Sequence, residues 1–156
     1  MTRHIPRWLA RAPIPLYRHG LGRLLGRRMA MLEHHGRKTG TARYAVLEVI
    51  RHGPHEVVLV SGYGPRSQWF RNIQADPAVR VWTAGQRAVP AHAEILSTGQ
   101  SREELEQYRT RHRHSAVALG RLLNITDLTT GGPLPADTGV RLPLVRIQFP
   151  ATTRQA

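Results

Sequence analysis

The 156-residue chain has no cysteine, one lysine among its 23 basic residues, only ten acidic residues and nine aromatics. Without cysteine there can be no disulfide, thiol nucleophile, iron–sulfur cluster or thiolate zinc site. No apolar run exceeds four residues, Val57–Val60 being typical, which is far short of the ~20 that span a bilayer. The start also lacks the apolar stretch of about 7–15 residues that a secretory signal needs. Arg27-Arg28 precedes only Met29–Leu32 before Glu33 restores charge, so a twin-arginine signal is not expected. These absences predict a soluble, cytoplasmic protein. The length suits one domain, large enough to bury roughly 70% of its unfolded surface.

What is abundant is arginine. The formal net charge is +13, and it is unevenly spread. Residues 1–80 carry 14 basic and 4 acidic side chains, residues 81–156 carry 9 and 6, and the first 28 hold seven Arg and no acid. Such a field concentrates polyanions, whether nucleic acid, phospholipid or a phosphorylated cofactor, without choosing among them. A coding bias toward Arg, Ala, Gly and Pro is the plainer explanation for part of it. Few aromatics interleave with the charge, so a specific single-strand nucleic-acid binder is disfavoured.

Pro6, Pro13 and Pro15 break the opening, so a helix can begin only after Pro15. There Tyr17, Leu21, Leu24 and Leu25 fall at helical spacing among arginines, giving a basic amphipathic arm over residues 1–28. It packs on its own domain or meets an anionic membrane surface. Strand patterns follow at Met29–His34, Tyr44–Arg51, Glu56–Ser61, Val79–Thr83, Arg87–Leu96 and Val140–Phe149. Ser67–Ala75 reads as a short helix stopped by Asp76-Pro77. Ser101-Arg-Glu-Glu104 has the form of a capping box opening a long helix, whose apolar face runs through Leu105, Tyr108, His112, Ala116 and Leu119. Residues 124–139 read as loop. Six short strands, mostly paired as hairpins, with added helices predict a mainly β (α+β) small barrel or sandwich.

Nine histidines suggest metal, but His34 and His35 point to opposite faces of a strand and His112 and His114 lie about 200° apart on a helix, so no metal site is expected. The glycines at 20, 22 and 26 have the wrong spacing for a dinucleotide fingerprint and follow no strand. Gly36-Arg37-Lys38-Thr39-Gly40, with Arg43 just beyond, is more informative. Its glycines let the backbone turn and offer N–H groups to an anion. Its two guanidinium groups grip oxygen atoms bidentately, and Lys38 and Thr39 add a point charge and a hydroxyl. An ordinary basic hairpin turn is the alternative. A second stretch runs Val60-Ser61-Gly62-Tyr63-Gly64, then Trp69-Phe-Arg-Asn72. Trp69 and Asn72 share a helix face and form one wall of a flat pocket, or Trp69 is simply core.

Together, Gly36–Gly40 with Arg43, the glycine loop at 62–64, Trp69-Phe-Arg-Asn72, Ala75-Asp-Pro77 with Val79 and Val81, and Arg141-Leu-Pro-Leu-Val145 ending at Pro150 resemble the deazaflavin-dependent nitroreductase and F420H2-dependent quinone reductase family. The resemblance implies a split β-barrel related to flavin-binding barrels over residues 29–150, with a short tail at 151–156. It implies coenzyme F420, an 8-hydroxy-5-deazaflavin, as cofactor rather than FMN. Arg37, Lys38, Thr39, Gly40 and Arg43 would hold its phosphate and acidic tail, while Val60, Ser61, Gly62, Tyr63, Gly64, Trp69 and Asn72 would lie along the ring. Ser61 and Tyr63 are the catalytic candidates. The reaction implied is hydride transfer to a small-molecule acceptor, a quinone, nitro-aromatic or enone. The alternatives are the same barrel binding FMN, haem or a lipid-like ligand, and a basic nucleic-acid- or membrane-binding module. The tyrosines that line the acceptor side in nitro-reducing members have no clear counterpart after Tyr108.

Overall fold

The computed structural model describes residues 27–83 and 85–150. The amphipathic arm expected over 1–28, apart from Arg27 and Arg28, and the tail at 151–156 lie outside the described residues. Six strands, β1 (Met29–His35), β2 (Ala42–His52), β3 (Glu56–Val60), β4 (Ala78–Thr83), β5 (Gln86–Ile95) and β6 (Leu144–Gln148), close into an antiparallel barrel in the order β1-β2-β3-β6-β5-β4. Closure by the β1–β4 pair leaves no unpaired sheet edge. The mainly β barrel with added helices expected from the sequence is therefore present.

The alternation in β2 sorts its side chains as its period of two requires. Ala45, Leu47 and Val49 join Ala30, Leu32, Val57, Leu59, Val81, Val145 and Ile147 in the barrel interior. Tyr44 and Val46 face outward beside Met31 and Trp82. A register shift between Val49 and Arg51 bends the far end of β2, as a bulge does. The Val57–Val60 run does not alternate because β3 is buried on both faces: Val57 and Leu59 inward, Val58 and Val60 beneath the helices.

Helix α1 (Gln68–Ala75) contributes Trp69, Phe70 and Ile73 to the barrel core. Helices α2 (Thr98–Arg111) and α3 (Arg113–Leu123) pack Leu105, Tyr108, Ala116 and Leu119 against the outer face of the barrel. Three local expectations need correction. The capping box sits one turn earlier than Ser101: Ser97 Oγ accepts from the Gln100 N–H at 3.2 Å, and Gln100 Oε1 accepts from the Ser97 N–H at 3.0 Å. Ser101 lies inside α2, fully buried, where its hydroxyl accepts from the Leu144 N–H. The expected long helix is two, because His112 leaves helical geometry (φ −130°, ψ 54°) at the junction. The last strand starts at Leu144 rather than Val140, since Thr138–Arg141 form a helical turn, α4, in front of Pro143.

Candidate functional site

The β1–β2 connection closes on itself. Gly36 N–H donates to Thr41 O at 2.9 Å, Gly40 N–H donates to Gly36 O at 2.7 Å, and Gly40 takes φ 69°, where glycine is favoured. A Cβ on Gly36 would lie 2.8 Å from Thr39 Oγ1 and 3.1 Å from Arg43 Nε. The glycine therefore lets Thr39 and Arg43 close over the turn. The amides of Gly36 and Gly40, which the sequence offers as anion donors, serve the turn itself.

Arg37 is held from beneath by α1. Its Nη1 donates to Asn72 Oδ1 at 2.9 Å and to Gln68 Oε1 at 3.0 Å, and its backbone N–H donates to Asn72 Oδ1 at 3.2 Å. Since Asn72 Oδ1 is occupied by these donors, its Nδ2 turns to His34 Nδ1, 3.1 Å away. His34 Nδ1 thus accepts, and the ring proton is assigned to Nε2. Burial, with the nearby charges of Arg43 and His35, lowers the His34 pKa to about 4, which keeps the ring neutral as that bond demands. Asn72 (2% exposed) ties the basic turn to the helix.

Gly36, Arg37, Lys38, Thr39, Arg43, Gln68 and Asn72 line a cavity of ≈ 290 Å³ with no carboxylate in its wall. The side chains of Lys38 and Arg43 have no hydrogen-bond or ion-pair partner among the described residues. Uncompensated cations around an acid-free hollow fit a ligand with a phosphate or several carboxylates. Gln68, which sequence reasoning missed, completes this wall. Its partner Arg37 is 31 positions away, so no local pattern marks it.

The loop after β3 is tightly built. Ser61 is fully buried, its Oγ 2.7 Å from Gly64 O and 2.6 Å from Ser67 Oγ. Its hydroxyl therefore fixes the loop. A Cβ on Gly62 would press on Leu123 at 2.8 Å, and Gly64 takes φ 75°. Tyr63 is 57% exposed. Val60 and Trp69 are buried, Trp69 packing edge-on against Phe70 with centroids 5.9 Å apart.

A larger cavity of ≈ 390 Å³ lies between β2 and the α2–α3 pair. Ile50 gives it an apolar floor; Glu48, Tyr108 and Ser115 supply polar groups, and Arg27, Arg28 and Arg111 line it as well. Arg51, also in its wall, is committed to Glu104 and Glu56 through bonds of 2.7–3.2 Å. The Tyr108 hydroxyl is buried beside the Ser115 hydroxyl, without a well-formed hydrogen bond among the described residues. Burial, reinforced by Glu48, pushes its pKa up to about 12. It therefore stays protonated. Burial also raises the Glu48 carboxyl, opposed by Arg28 at 3.3 Å. The sequence reading placed Tyr108 on the apolar face of a helix and did not see this group.

Residues 11–127 match the family model of the F420H(2)-dependent quinone reductases. No curated protein sequence matches the chain. Among solved structures, an F420-H2 dependent reductase (FDR-A) is 17% identical, with 78% of this chain and 95% of that one covered and a TM-score of 0.51. A pyridoxinephosphate oxidase family protein from Clostridium acetobutylicum is 10% identical, with coverage of 86% and 84% and a TM-score of 0.51. A chain described as a domain-swapped dimer is 17% identical, with coverage of 87% and 99% and a TM-score of 0.52. At these identities the likeness is one of fold, the split β-barrel, while the family match spans most of the chain. The chain belongs to the F420H2-dependent quinone reductase family, oxidoreductases whose cofactor is coenzyme F420.

Proposed function

We propose that the protein reduces a quinone at the expense of reduced F420, with the cofactor's anionic tail on the β1–β2 turn and the quinone in the chamber between β2 and α2–α3. The observation that carries this reading is the acid-free hollow around Arg37, Lys38 and Arg43. Its donor set suits a phosphate with an acidic tail, so the residues fit the group. Bound there, the cofactor supplies a hydride, two electrons and a proton, to the acceptor.

The chain's own residues then have distinct tasks. Arg37, oriented by Asn72 and Gln68, would grip anionic oxygens, while Lys38 and Arg43 complete the charge, Thr39 adds a hydroxyl and Gly40 shapes the turn. Residues 60–64, with Trp69 and Asn72 on α1, would hold the deazaflavin ring. Ser61 acts through loop shape, because its hydroxyl is engaged with Gly64 and Ser67. Tyr63 is exposed and suits closure over a bound ring. Tyr108 donates to the quinone oxygen that gains electron density, and solvent supplies the second proton. Hydride and proton together give the hydroquinone. The apolar floor excludes water from the hydride acceptor.

This reading treats residues 29–150 as the catalytic barrel and residues 1–28 as an arm whose seven arginines draw it to an anionic membrane surface, where lipophilic quinones reside. The test is anaerobic oxidation of F420H2 by a naphthoquinone, a nitro-aromatic and a cyclic enone in parallel. Quinone turnover well above the other two supports the proposal. Turnover of the nitro-aromatic or enone alone would refute the quinone assignment. Tyr108→Phe is expected to lower kcat for the quinone about 10- to 100-fold with F420 affinity unchanged.

A further inference from the structure

We infer that the natural acceptor is an acid: a flat, apolar quinone-type ring bearing a carboxylate or comparable anionic group, which Arg27 and Arg111 hold at the mouth of the chamber. The inference rests on the acceptor assignment above and adds the class of substrate.

The charges in the wall do not cancel. Arg28 is paired with Glu48, and Arg51 is paired with Glu104 and Glu56. Arg27 and Arg111 line the same cavity, are exposed, and have no side-chain ion-pair partner among the described residues. A chamber for a neutral quinone needs its apolar floor and a donor for the carbonyl, which Ile50 and Tyr108 supply. It has no need of two uncompensated guanidinium groups. Beside an apolar floor they make an amphiphilic site: ring inward toward Ile50 and the Tyr108 hydroxyl, acidic group outward between Arg27 and Arg111. Guanidinium groups bind carboxylates bidentately, so they fix the ring's orientation as well as its affinity. Glu48 is neutralised by Arg28, which keeps a carboxylate from repelling the incoming acid. A volume of ≈ 390 Å³ admits a bicyclic ring.

The test uses the full-length protein saturated with oxidised F420 and two redox-inert probes, 2-naphthoate and 2-naphthamide, measured by calorimetry. Naphthoate is expected to bind about tenfold more tightly. Arg111→Gln or Arg27→Gln should each reduce the preference several-fold, and the double variant should abolish it while naphthamide affinity holds. In turnover, a naphthoquinone with a propanoate side chain should exceed its methyl ester about tenfold in kcat/KM, mainly through KM. Equal binding of the two probes, or a preference that survives the double variant, would overturn the inference. So would displacement of naphthoate by F420 in the cofactor-free protein, which would assign the chamber to the cofactor. F420 affinity measured on the same samples separates the failures. Retained F420 binding without acid preference defeats only this inference, whereas absent F420 binding defeats the reading beneath it.

Discussion

Replacing Asn72 with Ala should weaken both the fold and the proposed cofactor site, by amounts that follow from its hydrogen bonds. Three bonds are lost: from Arg37 N–H, from Arg37 Nη1, and between Asn72 Nδ2 and His34 Nδ1. Arg37 sits at the edge of an open cavity, so water replaces its lost acceptor and the cost there is small. His34 is only 3% exposed, and its Nδ1 would be left buried without a donor, at about 1–3 kcal/mol. Adding the lost asparagine packing, about 2–4 kcal/mol in total is expected. For a chain of this size that is roughly a 4–15 °C fall in Tm. Freed from α1, Arg37 must be ordered by the ligand, so F420 affinity should fall about tenfold even at temperatures where the variant is fully folded. Gln68→Ala, which removes only an exposed partner of Arg37, should cost under about 1 kcal/mol. Scanning calorimetry and fluorescence titration read the two effects. An Asn72→Ala protein with Tm within about a degree of the parent and unchanged F420 affinity would refute the role given to this residue.

Three further outcomes are expected. The folded pKa of His34, about 4, lies below its ordinary 6.5, so as pH falls below 6.5 the unfolded chain takes up a proton first. Stability should decline from pH 6.5 to about 4 and level off below, by up to about 3 kcal/mol; His34→Gln should remove that component from urea melts across the range. At Gly139 a Cβ would stand 2.2 Å from the Thr98 carbonyl oxygen, so Gly139→Ala should cost at least about 1–3 kcal/mol, and an unchanged urea midpoint would contradict the packing of α4 on α2. Deleting residues 1–28 should abolish co-sedimentation with anionic vesicles, and unaltered sedimentation would remove the membrane role assigned to the arm.

Much of the fold was legible because period-two patterning and turn residues act locally. Tyr44–Arg51 showed both its faces, and Met29–His34 and Val79–Thr83 lay within a residue or two of the observed strands. The capping box was read at Ser101 because Glu104 follows it, yet Ser97-Thr-Gly-Gln100 performs that role. Thr98 and Gly99 are poor helix formers, and only the packing of buried Ser101 and Leu105 on the barrel pays for a start there. Val140–Arg141 looked like strand because Pro143, which ends the helical turn, sits within an otherwise β-like run. The basic turn at 36–43 was visible as chemistry, but its support was not: Asn72 meets Arg37 across 35 positions and His34 across 38. The chamber was less visible still, because Tyr108 and Glu48 stand 60 positions apart and share a cavity only once α2 lies on β2.

The central claim is that Arg37 and its neighbours bind the acidic tail of F420. Fluorescence titration of the full-length protein with oxidised F420, alongside FMN and the Arg37→Ala/Lys38→Ala double variant, tests it most directly. Micromolar or tighter binding of F420, much weaker binding of FMN, and at least a tenfold loss in the double variant are expected. F420 affinity that is unchanged by removing both side chains, or binding of FMN in preference to F420, would contradict it.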